Sequence, residues 1–221
     1  MMRLYFVRHG ESEANTRHII SNRGAPLGLT AIGRQQATRM RNQALMLKKP
    51  VRYPNILFDW GDTVMRDDPA NTTPMVEWEA VEVIEGITGV LSYLHSSGRD
   101  IILATSASIS DEDQIRGALR RAGLDRFFSR IYCFKNTKLP KGEAFYRYIL
   151  NDLNIPASDA LMVGDSFEKD VLIPATLGIF AVWFNPRSDE THSGKWNVTV
   201  HSMAELKEFF EALDFTKKSG Q

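Results

Sequence analysis

The chain has 221 residues, enough for one core-forming domain and a modest addition. Apolar residues make up 43% and charged residues 24%, and Lys+Arg balance Asp+Glu at 27 each, so no net field draws in nucleic acid or an acidic polymer. The single Cys133 excludes an internal disulfide framework, no apolar run reaches the length of a membrane span, and MMRLYFVRHGES lacks the apolar core and cleavage site of a secretion signal, so a cytoplasmic protein is expected.

Residues 4–7 read as a short apolar strand, ended by Arg8-His9-Gly10-Glu11. After a polar stretch, Thr30 caps a helix that puts Ala37, Met40, Ala44 and Leu47 on one face, and Lys48, Lys49 and Pro50 end it. This strand-loop-helix unit is too small to fold alone. LYFVRHGESEANT followed by PLGLTAIGRQQA resembles the start of a histidine phosphatase or phosphoglycerate mutase. The resemblance implies phosphorylation at His9, with Arg8 binding the phosphate. It covers only about the first 45 residues, and after Pro50 the later acidic residue and second His-Gly pair of that family do not follow in recognisable order. The segment therefore reads as a remnant or an added layer.

From Pro54 the pattern alternates strand and helix. Residues 56–58 form a buried strand with Asp59, Gly61, Asp62 and Thr63 at its mouth. Val83, Ile87, Val90, Leu91 and Leu94 share a helical face that Gly98 ends. Residues 101–103 form a second strand, finishing at Ala104-Thr105-Ser106. Ser110 with Asp113 opens the next helix, which Gly123 stops. RFFSRIYCF holds a third strand, residues 142–153 a helix, 161–163 a fourth strand ended by Gly164-Asp165-Ser166, and 179–184 a fifth. Ser202 and Glu205 form a capping box for a last helix, and the tail TKKSGQ is expected to be disordered. This alternation predicts an α/β doubly wound parallel sheet. The expected organisation is an extension over 1–53, a core over 54–214 and a tail over 215–221. Residues 64–100 leave room for a polar loop and one helix, so little or no cap domain covers the site.

Polar groups thus stand at three strand ends, Asp59, Thr105 and Asp165, with Asp170 a helical turn beyond and Lys138 and Lys141 before the following helix. In a doubly wound sheet these converge on one edge. Carboxylates gathered in one cleft repel, which implies a cation, and an all-oxygen set favours Mg²⁺. A nearby lysine would keep a nucleophilic carboxylate ionised, and a hydroxyl would hold phosphate oxygens.

The ordered stretches FDWGDT, ILAT, TKLPK and VGDSFEKD resemble the haloacid dehalogenase (HAD) superfamily over residues 54–214. The resemblance implies a Rossmann-like core in which Asp59 is the nucleophile that forms an aspartyl-phosphate. Mg²⁺ would be held by Asp59, the Gly61 carbonyl and Asp165, with Asp170 as ligand or support. Thr105 and Ser106 would bind the phosphoryl group, and the motif lysine is Lys141 or, by spacing, Lys138. One departure stands out: the family's acid/base aspartate, two residues after the nucleophile, is Gly61 here, and the carboxylate has moved to Asp62. Losing such an acid typically costs about 10²–10⁴-fold. The expectation is a Mg²⁺-dependent phosphatase, slow or suited to good leaving groups, acting on a small or larger phosphorylated substrate. Two alternatives stay open: a catalytically weak phosphate- and metal-binding protein, and histidine-based phosphotransfer at His9.

Overall fold

The computed structural model describes residues 11–16, 28–36 and 52–215. The chain divides into two compact units, 1–49 and 50–221. In the first, helix α1 (Glu13–Thr16) and a second helix α2 (31–36) flank an antiparallel bridge between Ser12 and Leu29. Thr30 caps α2 as expected, its Oγ1 accepting from the Gly33 amide at 3.0 Å. The expected strand at 4–7, His9 and the helical face from Ala37 to Leu47 lie outside the described residues.

The second unit is built on six parallel strands: β1 (Asn55–Phe58), β2 (Asp100–Ala104), β3 (Arg130–Tyr132), β4 (Ala160–Gly164), β5 (Phe180–Phe184) and β6 (Asn197–Val200). Their order is β3-β2-β1-β4-β5-β6, so the chain winds outward one way from β1 and then the other way from β4. Short apolar runs form the four inner strands because both faces are covered. Ile56 and Phe58 pack into one core, with Ile101, Leu103, Leu161 and Val163 from the neighbouring strands. Leu57, Ile102 and Met162 face the opposite way into a second core. Helices α3 (Ile87–Ser96) and α8 (Met203–Phe215) supply apolar side chains to the first core, as does α4 (Glu112–Arg121). Helix α6 (Glu143–Leu153) covers the second. Short helices α5 (Phe134–Thr137) and α7 (Ile173–Thr176) complete the connections.

Three local expectations need correction. The helix expected from Val83 begins only at Ile87, because Gly86 caps it in the left-handed region at φ 83°. Val83 is exposed, and its backbone bridges Met65 instead. Helix α4 is capped by Asp111, whose carboxylate accepts from the Gln114 amide at 2.9 Å while Gln114 reaches back to the Asp111 amide, rather than by Ser110. Strand β6 was not anticipated, since NVTV is only partly buried and its apolar signal is weak. Among the described residues no domain is inserted between β1 and β2 or between β3 and β4, and no helix is long and apolar enough to cross a membrane.

Candidate active site

Register places the polar strand ends together. Phe58 lies opposite Leu103 on β2 and Val163 on β4, so Asp59, Thr105 and Asp165 leave the sheet at the same edge. That edge is the crevice where strand order reverses, the usual ligand position in such sheets. The Asp59 amide still donates to the Val163 carbonyl at 2.9 Å, and the Thr105 amide to Tyr132 at 2.9 Å, which holds both side chains on rigid backbone.

After β4 the chain enters a π-helical stretch, Phe167–Leu172, that turns Asp170 back toward the strand. The Ser166 amide donates to Asp170 Oδ2 at 3.1 Å. Gly164 permits this approach: a Cβ on it would lie 2.2 Å from Asp170 Oδ2. The Tyr146 hydroxyl donates to the Lys169 carbonyl at 2.8 Å and lies 3.3 Å from Asp170 Oδ1.

Between Asp59 and Asp170 sits Lys141, its Nζ 2.6 Å from Asp59 Oδ1 and 2.5 Å from Asp170 Oδ1. All three residues are buried. Burial pushes the Asp59 carboxyl up to about 7, with Lys141 pulling it down and Asp170 pushing it further up. Burial draws the Lys141 ammonium down, but the two carboxylates outweigh it and its pKa ends raised. Asp165, half-buried, is raised by burial and by Asp170 and Asp62, against Arg187. One oxygen from each of Asp59, Asp165 and Asp170 lies within 4.8 Å of the others. Three oxygens of like charge at this spacing fit a hard divalent cation such as Mg²⁺, which would relieve their repulsion.

These residues line a cavity of about 420 Å³, together with Gly61, Thr105 and Ser106. The other wall is the polar loop from Asp67 to Trp78. Arg121 of α4 ties that loop down, donating to the carbonyls of Val76 (2.8 Å), Trp78 (2.7 Å) and Glu79 (2.9 Å). Lys138 stands apart: it is the exposed left-handed C-cap of α5, at φ 59°, and is not among the cavity residues. Asp62, also left-handed at φ 54°, turns its carboxylate to Arg187 and to the Asp67 amide. Sequence reasoning missed Tyr146, Arg187 and Asp67. Arg187 follows the end of β5, so the strand-end logic that located Asp165 could have found it, whereas Tyr146 reads as an ordinary core position on α6.

Comparison with known proteins agrees with this architecture. A family model described as haloacid dehalogenase-like hydrolase matches residues 68–184, just over half of the chain. A second, histidine phosphatase superfamily (branch 1), matches residues 4–49. No curated protein matches the chain. Among solved structures, an uncharacterized protein from Listeria monocytogenes serotype 4b is 22% identical, with TM-score 0.63, over 72% of this chain and 98% of its own. A HAD phosphatase from Thermococcus onnurineus is 16% identical, with TM-score 0.56, over 70% and 96%. A magnesium-bound protein from Bacillus subtilis is 17% identical, with TM-score 0.56, over 72% and 99%. At these identities the solved structures establish the fold.

Proposed function

We propose that this chain, which belongs to the haloacid dehalogenase-like hydrolase family, is a Mg²⁺-dependent phosphatase acting on phosphate monoesters through Asp59. The observation that carries the reading is the buried contact of Lys141 Nζ with Asp59 Oδ1 at 2.6 Å, inside a triad of carboxylates spaced for one cation. An ammonium there favours the ionised, attacking form of Asp59. Asp59 bonds to phosphorus as the ester oxygen leaves, and water then releases phosphate from the aspartyl group. Asp59, Asp165 and the Gly61 carbonyl would hold Mg²⁺, with Asp170 as ligand or support. Bound there, the ion would supply neutralisation of the phosphoryl charge. Thr105, buried in the cavity wall, and Ser106 beside it would take phosphoryl oxygens. Lys141, and not the outlying Lys138, fills the lysine role in this reading. Residues 54–214 form the catalytic core, and 1–53 an extension carrying a partial histidine-phosphatase segment. The magnesium in the Bacillus subtilis relative supports the choice of ion.

The test is hydrolysis of an aryl phosphate with and without Mg²⁺ by wild type, Asp59→Asn and His9→Ala. Mg²⁺-dependent turnover lost in Asp59→Asn and kept in His9→Ala is expected. Turnover that survives both chelation and Asp59→Asn would instead place the chemistry at His9. Gly61 favours a second reading, a phosphate- and metal-binding protein with little turnover. Mg²⁺-dependent phosphate binding without hydrolysis in wild type would select it.

A further inference from the structure

Resting on the phosphatase reading, the geometry points to Asp67 as the proton donor to the leaving oxygen, and later the base toward water. Expelling an alkoxide from phosphorus demands a proton, and that proton must come from a group beside Asp59. Gly61 offers no side chain, but the space above it is filled. A Cβ on Gly61 would lie 3.1 Å from Asp67 Oδ2 and 3.2 Å from Asp67 Cβ. The Asp67 carboxyl therefore occupies the volume that a side chain at position 61 would enter, and both residues line the cavity that holds Asp59.

Position and engagement set the other cavity carboxylates aside. Asp62 is held by Arg187 and by the Asp67 amide. Asp68, whose Oδ1 accepts from the Ala70 amide at 3.0 Å, is not among the atoms nearest a Cβ at position 61, all of which belong to Asp67. Asp165 and Asp170 belong to the candidate cation set. Asp67 Oδ1 accepts from the Asp68 amide at 3.0 Å, which orients the group, and Oδ2 takes no hydrogen bond among the described residues. The step balances. Asp59 bonds to phosphorus, the ester P–O bond breaks, and the leaving oxygen takes the Asp67 proton. Water then attacks phosphorus, returns a proton to Asp67, and the P–O bond to Asp59 breaks.

The experiment compares para-nitrophenyl phosphate, whose phenolate leaves unprotonated, with n-butyl phosphate. In Asp67→Asn, kcat/KM for the butyl ester should fall about 10²–10⁴-fold and that for the aryl ester less than about tenfold. A burst of one equivalent of nitrophenolate, then slow turnover, should mark the hydrolysis step left without its base. Gly61 is not in the left-handed region, so an aspartate is allowed there once space exists. The double variant Gly61→Asp/Asp67→Gly should recover butyl phosphate turnover over Asp67→Gly alone. Equal losses on both esters, no loss, or a wild type that turns over only the aryl ester would overturn the assignment while leaving Asp59 as nucleophile. Wild type inactive on both esters, or Asp59→Asn still active, would overturn the phosphatase reading and this assignment with it.

Discussion

Lys141 Nζ lies 2.6 Å from Asp59 Oδ1, joining the connection between α5 and α6 to the end of the central strand. The same ammonium touches Asp170, so one buried cation separates two buried carboxylates. Such a cluster is held by mutual compensation, and removing its centre leaves two buried carboxylates without their counter-charge.

Lys141→Met should therefore destabilise the metal-free protein by about 3–5 kcal/mol, read by urea unfolding. The rate of any Asp59 chemistry should also move to higher pH, because the group that opposes the burial-driven rise of Asp59 is gone. A pH–rate profile of the variant against wild type checks the direction.

Asp59 also sets a pH dependence of stability. Its folded pKa, about 7, stands above the ordinary carboxylate value of 3.8, so between these the folded state holds a proton that the unfolded chain has lost. Its contribution is full below the unfolded pKa and is lost as pH rises through about 7. Without metal, Tm should fall across that window. Mg²⁺ favours the ionised cluster, so its stabilising effect should be larger at pH 8 than at pH 5. Thermal melts with Mg²⁺ and with chelator, across pH, measure both; equal Mg²⁺ effects at the two ends would refute the linkage.

Gly164→Ala should destabilise by about 1–3 kcal/mol and weaken Mg²⁺ binding, because the new Cβ drives Asp170 from its place. Gly89→Ala on α3 is the contrast: nothing lies within 4 Å of the added Cβ. There the helix should gain about 0.5–1 kcal/mol. Chemical denaturation of the two variants side by side separates close approach from helix propensity.

Arg121→Ala should leave global stability nearly unchanged while releasing the loop wall of the cavity. Three carbonyls lose a charged donor, so amide exchange over residues 74–80 should quicken by roughly tenfold or more. KM for a phosphate ester should rise because the loop shapes the cavity, and kcat on an alkyl ester should fall more than on an aryl ester because the same loop carries Asp67.

Much of the scaffold was legible from local chemistry. Runs such as ILF and LMV are too short and too apolar for anything but strands covered on both faces, and the ordered polar residues after them mark one sheet edge. Asp59, Thr105, Asp165 and Asp170 follow from that pattern, because parallel pairing aligns strand ends by register. Tertiary structure alone decided the rest. Spacing left Lys138 and Lys141 as alternatives; in the fold Lys138 is an exposed left-handed C-cap, and Lys141 is the one that lies in the buried cluster with Asp59 and Asp170. Asp62 stands in sequence where a shifted acid would be expected, but a positive φ and Arg187 turn it away. Asp67 carries no motif at all, and its place over Gly61 arises from the fold of the loop between β1 and α3. Periodicity reports what a residue's own backbone does, whereas these assignments depend on where a loop returns, which no local signal encodes.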